Sequence, residues 1–202
     1  FQLLADLTDG TSRIVAEALT RHVTDYVTAR LRLERAQDVL ASLISTAERV
    51  ADLHLRAGDL RAASRIIWQL GKGLQVAPDV ENTVRDRSRA AVARLMRSQP
   101  FERALHALWT PNEKRRALVL HLLEGGGVEA IDRLFQLAFQ SSDAARVHIH
   151  AEQLAAISSL SELEARLLTR VNPFDAPSDV TRALEIAELV RWEARCTRWC
   201  PL

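Results

Sequence analysis

Residues 47–70 run Ala47-Glu-Arg-Val-Ala-Asp-Leu-His-Leu-Arg-Ala-Gly-Asp-Leu-Arg-Ala-Ala-Ser-Arg-Ile-Ile-Trp-Gln-Leu70. They read as a helix, a Gly58-Asp59 turn and a second helix. Units of this kind cannot bury their apolar faces alone, so they stack on one another. The stretch decides the fold: an all-α chain of antiparallel hairpins.

Upstream, no Gly or Pro occurs from Thr11 to Ala57. Apolar residues recur at helical spacing through Leu19, Val23, Tyr26, Leu33, Leu40, Ile44 and Ala47. The same rhythm places Arg30 and Gln37 on the apolar seam. That is a stutter in one long helix or a break near Arg30–Glu34. Downstream, Gly71-Lys72-Gly73 and Pro78 are read as the end of the hairpin. Asp79 is read as the cap of a helix to about Ser98, and Pro100 and Pro111 bracket a short helix over 101–109. Thr110-Pro-Asn-Glu has the order of a helix start, with Thr at the N-cap, Pro at the first helical position and Glu two residues further on. Gly125-Gly126-Gly127 ends that helix. Another spans 128–140, and Ser141-Ser142-Asp143 caps the next, to about Ile157. Ser161 with Glu164 forms a capping box, 173–177 is a loop, and a last helix runs to about Trp199.

Composition agrees. The 202 residues are 48% hydrophobic and 5% aromatic, with only 7 Gly and 6 Pro. Few turn formers mean long helices and short links, and no window alternates as a strand does. The expected organisation is one continuous domain: an N-terminal long helix or hairpin over 1–46, a helical-repeat region over 47–172, and a loop with a C-terminal capping helix over 173–202. Two cysteines, Cys196 and Cys200, are too few for a disulfide scaffold, so a cytoplasmic setting is expected. No run of about 18 apolar residues could span a membrane. The chain opens on Phe1 and its single methionine is Met96, so a piece of a longer protein is expected. Of 27 basic residues 25 are arginine, as GC-rich bacterial coding produces.

The 47–70 hairpin resembles a tetratricopeptide repeat. The turn is Gly58-Asp59, the small residue of the second helix falls on Ala63, and the large apolar position falls on Ile67. It departs from the pattern at Ala51, His54 and Gln75, and no second copy follows at that period. From Pro100 onward the helix pairs, 111–140 and 142–171, look more like HEAT repeats. The resemblance implies an irregular α-solenoid that binds protein on its surface. An irregular multi-helix bundle is the alternative.

Charge is uneven. Residues 85–116 carry nine basic and three acidic side chains, whereas the whole chain carries +1. Arg85, Arg87, Arg89, Arg94 and Arg97 share one predicted helix whose apolar stripe is Val84, Ala91, Val92 and Leu95. Arg85 and Arg89 flank that stripe, and Arg87, Arg94 and Arg97 take the solvent arc. Lys114 and Arg115 open a helix two elements later. Together they are a candidate basic patch for an acidic protein segment, nucleic acid or anionic lipid heads. The bland alternative is a solvated arginine face.

Other chemistry is thin. His148 and His150 point about 200° apart on a helix and cannot share a metal. Neither glycine cluster follows a strand or carries Gly-Lys-Ser/Thr, so neither is a phosphate loop; both are read as helix terminators. Leu189, Trp192, Cys196 and Trp199 follow helical spacing and form a buried stripe. No catalytic residue, cofactor site or metal site is assigned. Three readings follow: a non-catalytic scaffold or adaptor binding another protein, a self-association module built on the N-terminal helices, and a nucleic-acid-binding or enzymatic helical-repeat domain.

Overall fold

The computed structural model describes residues 10–109, 112–158, 181 and 183–191. Among them every regular element is helical: α1 (Gly10–Leu33), α2 (Gln37–Ala57), α3 (Leu60–Trp68), α4 (Leu74–Val76), α5 (Asn82–Met96), α6 (Gln99–Leu105), α7 (Glu113–Gly126), α8 (Val128–Gln140) and α9 (Ala144–Ile157). Residues 183–191 are helical too. The protein is all-α.

The Gly58-Asp59 hairpin forms as its residues direct. Gly58 closes α2 in the left-handed region at φ 75°, where a side chain would be strained. The Asp59 carboxylate then accepts the Ala62 amide at 3.1 Å and caps α3. Ala51, Ala63 and Ile67 are wholly buried, and His54 is buried beside them.

The breaker-free run before it is two helices, not one. Glu34 makes the break: its carboxylate accepts the Arg35 and Ala36 amides at 3.0 Å each and pairs with Arg30 at 2.6 Å. The amides of Ala36 and Arg35 hold its carboxyl below the usual range. Gln37, the other polar residue on the seam, donates to the Asp79 carbonyl at 2.9 Å and accepts from the Glu81 amide at 3.1 Å. α2 runs through residue 46, so the boundary expected at 46/47 falls inside one helix.

Gly71-Lys72-Gly73 does not end α3. The helix widens into a π-turn over Gln69–Gly73 and continues into α4. The reason lies in α7. A Cβ on Gly71 would stand 2.1 Å from the Gly125 carbonyl oxygen, and one on Gly125 would stand 3.1 Å from the Trp68 backbone. The glycines therefore permit backbone contact between two helices. The π-turn leaves carbonyls without their usual α-helical partners, and the buried Ser88 hydroxyl of α5 donates to the Leu70 carbonyl at 2.7 Å. Of the triple glycine, Gly125 and Gly126 lie within α7 and only Gly127, at φ 55°, terminates it.

Other boundaries shift by a few residues. α5 begins at Asn82, because Asp79 is held by Gln37 and lies 3.6 Å from Arg35. Ser98 caps α6, which tightens into a 3₁₀ turn over His106–Trp109. Asn112, not Thr110, caps α7 by accepting the Arg115 amide at 3.1 Å. α8 and α9 keep the expected bounds, and Asp143 caps α9. The 161–164 capping box, the 173–177 loop and the stripe residues Trp192, Cys196 and Trp199, together with Cys200, lie outside the described residues, as does the second helix of the 142–171 pair.

α2 packs on α5 and α5 on α8; α3 packs on α7 and α7 on α9. Contacts at matching ends make α2 and α5 parallel, and the C-terminal ends of α3 and α7 meet where Trp68 lies on Gly125. Gln37 meets the segment before α5 while Glu48 meets Arg94. One buried cluster runs unbroken from Val27 to Val190, with Ile66, Ile67, Leu70, Met96, Phe101 and Leu122 wholly enclosed. Among the described residues no helix is long and apolar enough to cross a membrane.

Candidate functional site

α5 turns Val84, Ser88, Ala91, Val92, Leu95 and Met96 inward, and its arginines divide by what they touch. Arg94 forms a two-pronged pair with Glu48 at 2.7 and 2.8 Å, tying α5 to α2. That hydrogen-bonded pair holds the guanidinium above its ordinary pKa. Arg85 is half-buried and donates to the Ala77 carbonyl at 2.8 Å. Arg89 lies 3.6 Å from Asp86 on its own helix. Arg87 and Arg97 are exposed and meet no carboxylate within salt-bridge distance among the described residues.

Lys114 and Arg115 are likewise exposed, in the first turn of α7. They do not join the α5 set. The C-terminal end of α5 lies at the far end of α7, where the Met96 side chain packs on Gly126. Twelve residues of helix separate Lys114 from that point, about 18 Å. The seven predicted cations therefore fall into the Lys114–Arg115 pair, the exposed Arg87 and Arg97 about 15 Å apart along α5, and three braced arginines.

A second basic feature was not apparent from spacing alone. α1, α3 and α7 enclose a cleft of about 340 Å³ whose walls include Asp25, Arg32, Arg65, Trp68, Gln69 and His121. The Gln69 amide is buried against Arg32; with its oxygen assigned to the side facing the guanidinium, it accepts from Nε at 3.0 Å and Nη2 at 3.1 Å. Arg65 pairs with Asp25 at 2.9 Å. Trp68 is 37% exposed. His121 stands at the edge, 3.5 Å from Glu124.

No protein-family model, curated protein or solved structure matches this chain.

One constellation has the order of a hydrolase triad. His54 Nε2 lies 2.6 Å from the Thr24 hydroxyl, and Nδ1 lies 3.4 Å from the Asp59 carboxylate. Thr24 is 1% exposed, and its hydroxyl donates to the Thr20 carbonyl at 2.8 Å. No substrate can reach it, so the chain of groups braces α1, α2 and the hairpin turn. Burial lowers the His54 pKa, and Asp59 opposes that shift. His150 is also buried; desolvation first, then Arg146, pushes it down to about 4. Its neighbour His148 is exposed, on the other side of α9. Among the described residues no group of three or more His, Cys, Asp or Glu side chains could hold a metal ion.

α1 leaves Tyr26 and Leu33 exposed at 61% and 72%, seven residues apart on one face.

Proposed function

We propose that this chain is a non-catalytic scaffold that holds an acidic segment of a protein partner against a stack of helical hairpins. One observation carries the reading: Arg87, Arg97, Lys114 and Arg115 are exposed without a carboxylate partner among the described residues, while Arg94, Arg65 and Arg133 link helices through Glu48, Asp25 and Glu102. Lys114 and Arg115 also stand where the helix dipole disfavours cations, a placement that costs about 0.3–1 kcal/mol each. Charge kept at a folding cost suits an external partner. The parallel pairing of α2 with α5 and of α3 with α7 supports a solenoid-like stack, whose usual work is protein binding.

The test is binding of a short polyglutamate peptide at low and high salt. The double variant Arg87→Glu/Arg97→Glu is expected to lose most of the low-salt affinity. Arg94 stays in place, because reversing it would set two carboxylates face to face with Glu48. Unchanged binding by the double variant ends the proposal for this patch.

A further inference from the structure

From Leu60 to Gly73 the exposed positions are Arg61, Arg65, Trp68 and Lys72. Steps of four, three and four residues line them up along one side of the helix. Eleven residues of rise make the ridge about 16 Å long. It combines cations with an aromatic ring, which the α5 arginines lack, and beside Trp68 it borders the cleft between α1, α3 and α7.

Two guanidinium groups in that cleft are already held in place. Arg32 is fixed by the buried Gln69 amide and meets no carboxylate within salt-bridge distance among the described residues. Arg65 is steadied by Asp25, with its side chain still 51% exposed. A ligand that pairs with them loses little additional side-chain freedom. Trp68 offers a partly exposed indole surface in the same cleft.

We propose that this cleft binds an acidic peptide segment that carries an aromatic side chain next to its carboxylates. The aromatic ring packs on Trp68, the carboxylates meet Arg32 and Arg65, and the extended backbone follows the ridge from Arg61 to Lys72. About five extended residues, at roughly 3.3 Å each, cover that length. A peptide fits better than a nucleic acid. The cleft supplies two held guanidinium groups and one indole, a short site for one aromatic residue and its flanking carboxylates. A nucleic acid needs a longer basic groove that neutralises several phosphates, and Asp25 and Glu124 interrupt such a groove here. This inference rests on the scaffold reading above but uses different residues.

The experiment is calorimetric titration of the whole chain with acetyl-Asp-Glu-Phe-Glu-Asp-amide, with its Phe-to-Ala analogue, and with an oligothymidylate of similar length. The first peptide is expected to bind, and the analogue to bind about tenfold more weakly. Trp68→Ala and Arg32→Glu should each weaken the first peptide about tenfold, while Arg87→Glu/Arg97→Glu leaves it within about twofold. Because Trp68 backs onto Gly125 and a carboxylate at position 65 would face Asp25, Arg65→Gln on the exposed ridge serves as the variant that leaves the fold intact, with the same expected loss. Absence of peptide binding, equal binding by the cleft variants, or displacement of the peptide by oligothymidylate overturns the inference. Loss of polyglutamate binding in the α5 variant with no effect of the cleft variants on the pentapeptide sinks this inference alone. The reverse pattern sinks the α5 patch alone.

Discussion

The two sides of α3 obey different constraints. Its inner side meets other helices at backbone contact distance: Gly71 lies on the Gly125 carbonyl, and Ser64, Ile66, Ile67 and Leu70 are buried to within 1% exposure. Its outer side carries Arg61, Arg65, Trp68 and Lys72 into solvent. On the inner side a single methyl group is a steric event. On the outer side whole side chains can change without touching another atom of the core. Substitutions inside should therefore be read in stability, and substitutions outside in binding.

The sharpest way to break that contrast is Gly71→Ala. The new Cβ would lie 2.1 Å from a helix carbonyl that cannot move without its helix. Overpacking of this kind costs about 3 kcal/mol, read as a lower urea midpoint at unchanged slope. Gly73→Ala is the internal control. There the added carbon meets the end of the Gln69 side chain, at 2.6 Å, which can turn aside by loosening its bonds to Arg32 without moving a helix, and the smaller loss should be about 1 kcal/mol. Equal losses at the two glycines would show that the close approach of α3 to α7 does not control stability.

This contrast also separates what the sequence can express from what it cannot. The Gly58-Asp59 turn, the bounds of α8 and the Asp143 cap depend on residues within a few positions, and all were legible. The role of Gly71 depends on Gly125, far along the chain, so in the sequence it has only the signature of a helix end. Arg94 looked like one more solvent arginine because its partner, Glu48, is 46 positions away. The cleft draws on three helices and left one local trace, the spacing of Arg61, Arg65, Trp68 and Lys72. The apolar face of the same stretch, Ala63, Ile66, Ile67 and Leu70, carries the stronger periodic signal.

The contrast extends to titratable groups. The buried imidazoles His54 and His150 are driven toward neutrality by desolvation. A histidine whose folded pKa is depressed binds fewer protons folded than unfolded, so stability falls as pH drops through the window between the two values. For His150 that window runs from the ordinary 6.5 down to about 4. Between pH 7 and pH 5 the loss should reach about 2 kcal/mol. His54 faces the Asp59 carboxylate, which offsets part of its burial, whereas His150 faces Arg146. His150→Gln should therefore flatten the acid limb of the stability profile more than His54→Gln does. Thermal melts across this pH range decide it, and a larger flattening by the His54 variant contradicts the ordering.

The smallest expected effects lie on the outer side, and they matter because they are small. Arg61 and Lys72 have no ion-pair partner among the described residues, so Arg61→Ala and Lys72→Ala should each change stability by less than about 0.5 kcal/mol. Arg65→Ala removes one half-exposed pair with Asp25, worth about 0.5 kcal/mol. If these side chains serve a partner, all three variants melt like the parent chain yet bind the acidic aromatic peptide more weakly. A stability loss above about 1 kcal/mol in any of them would mean that the ridge is part of the packing. The two sides of α3 would then differ in degree and not in kind.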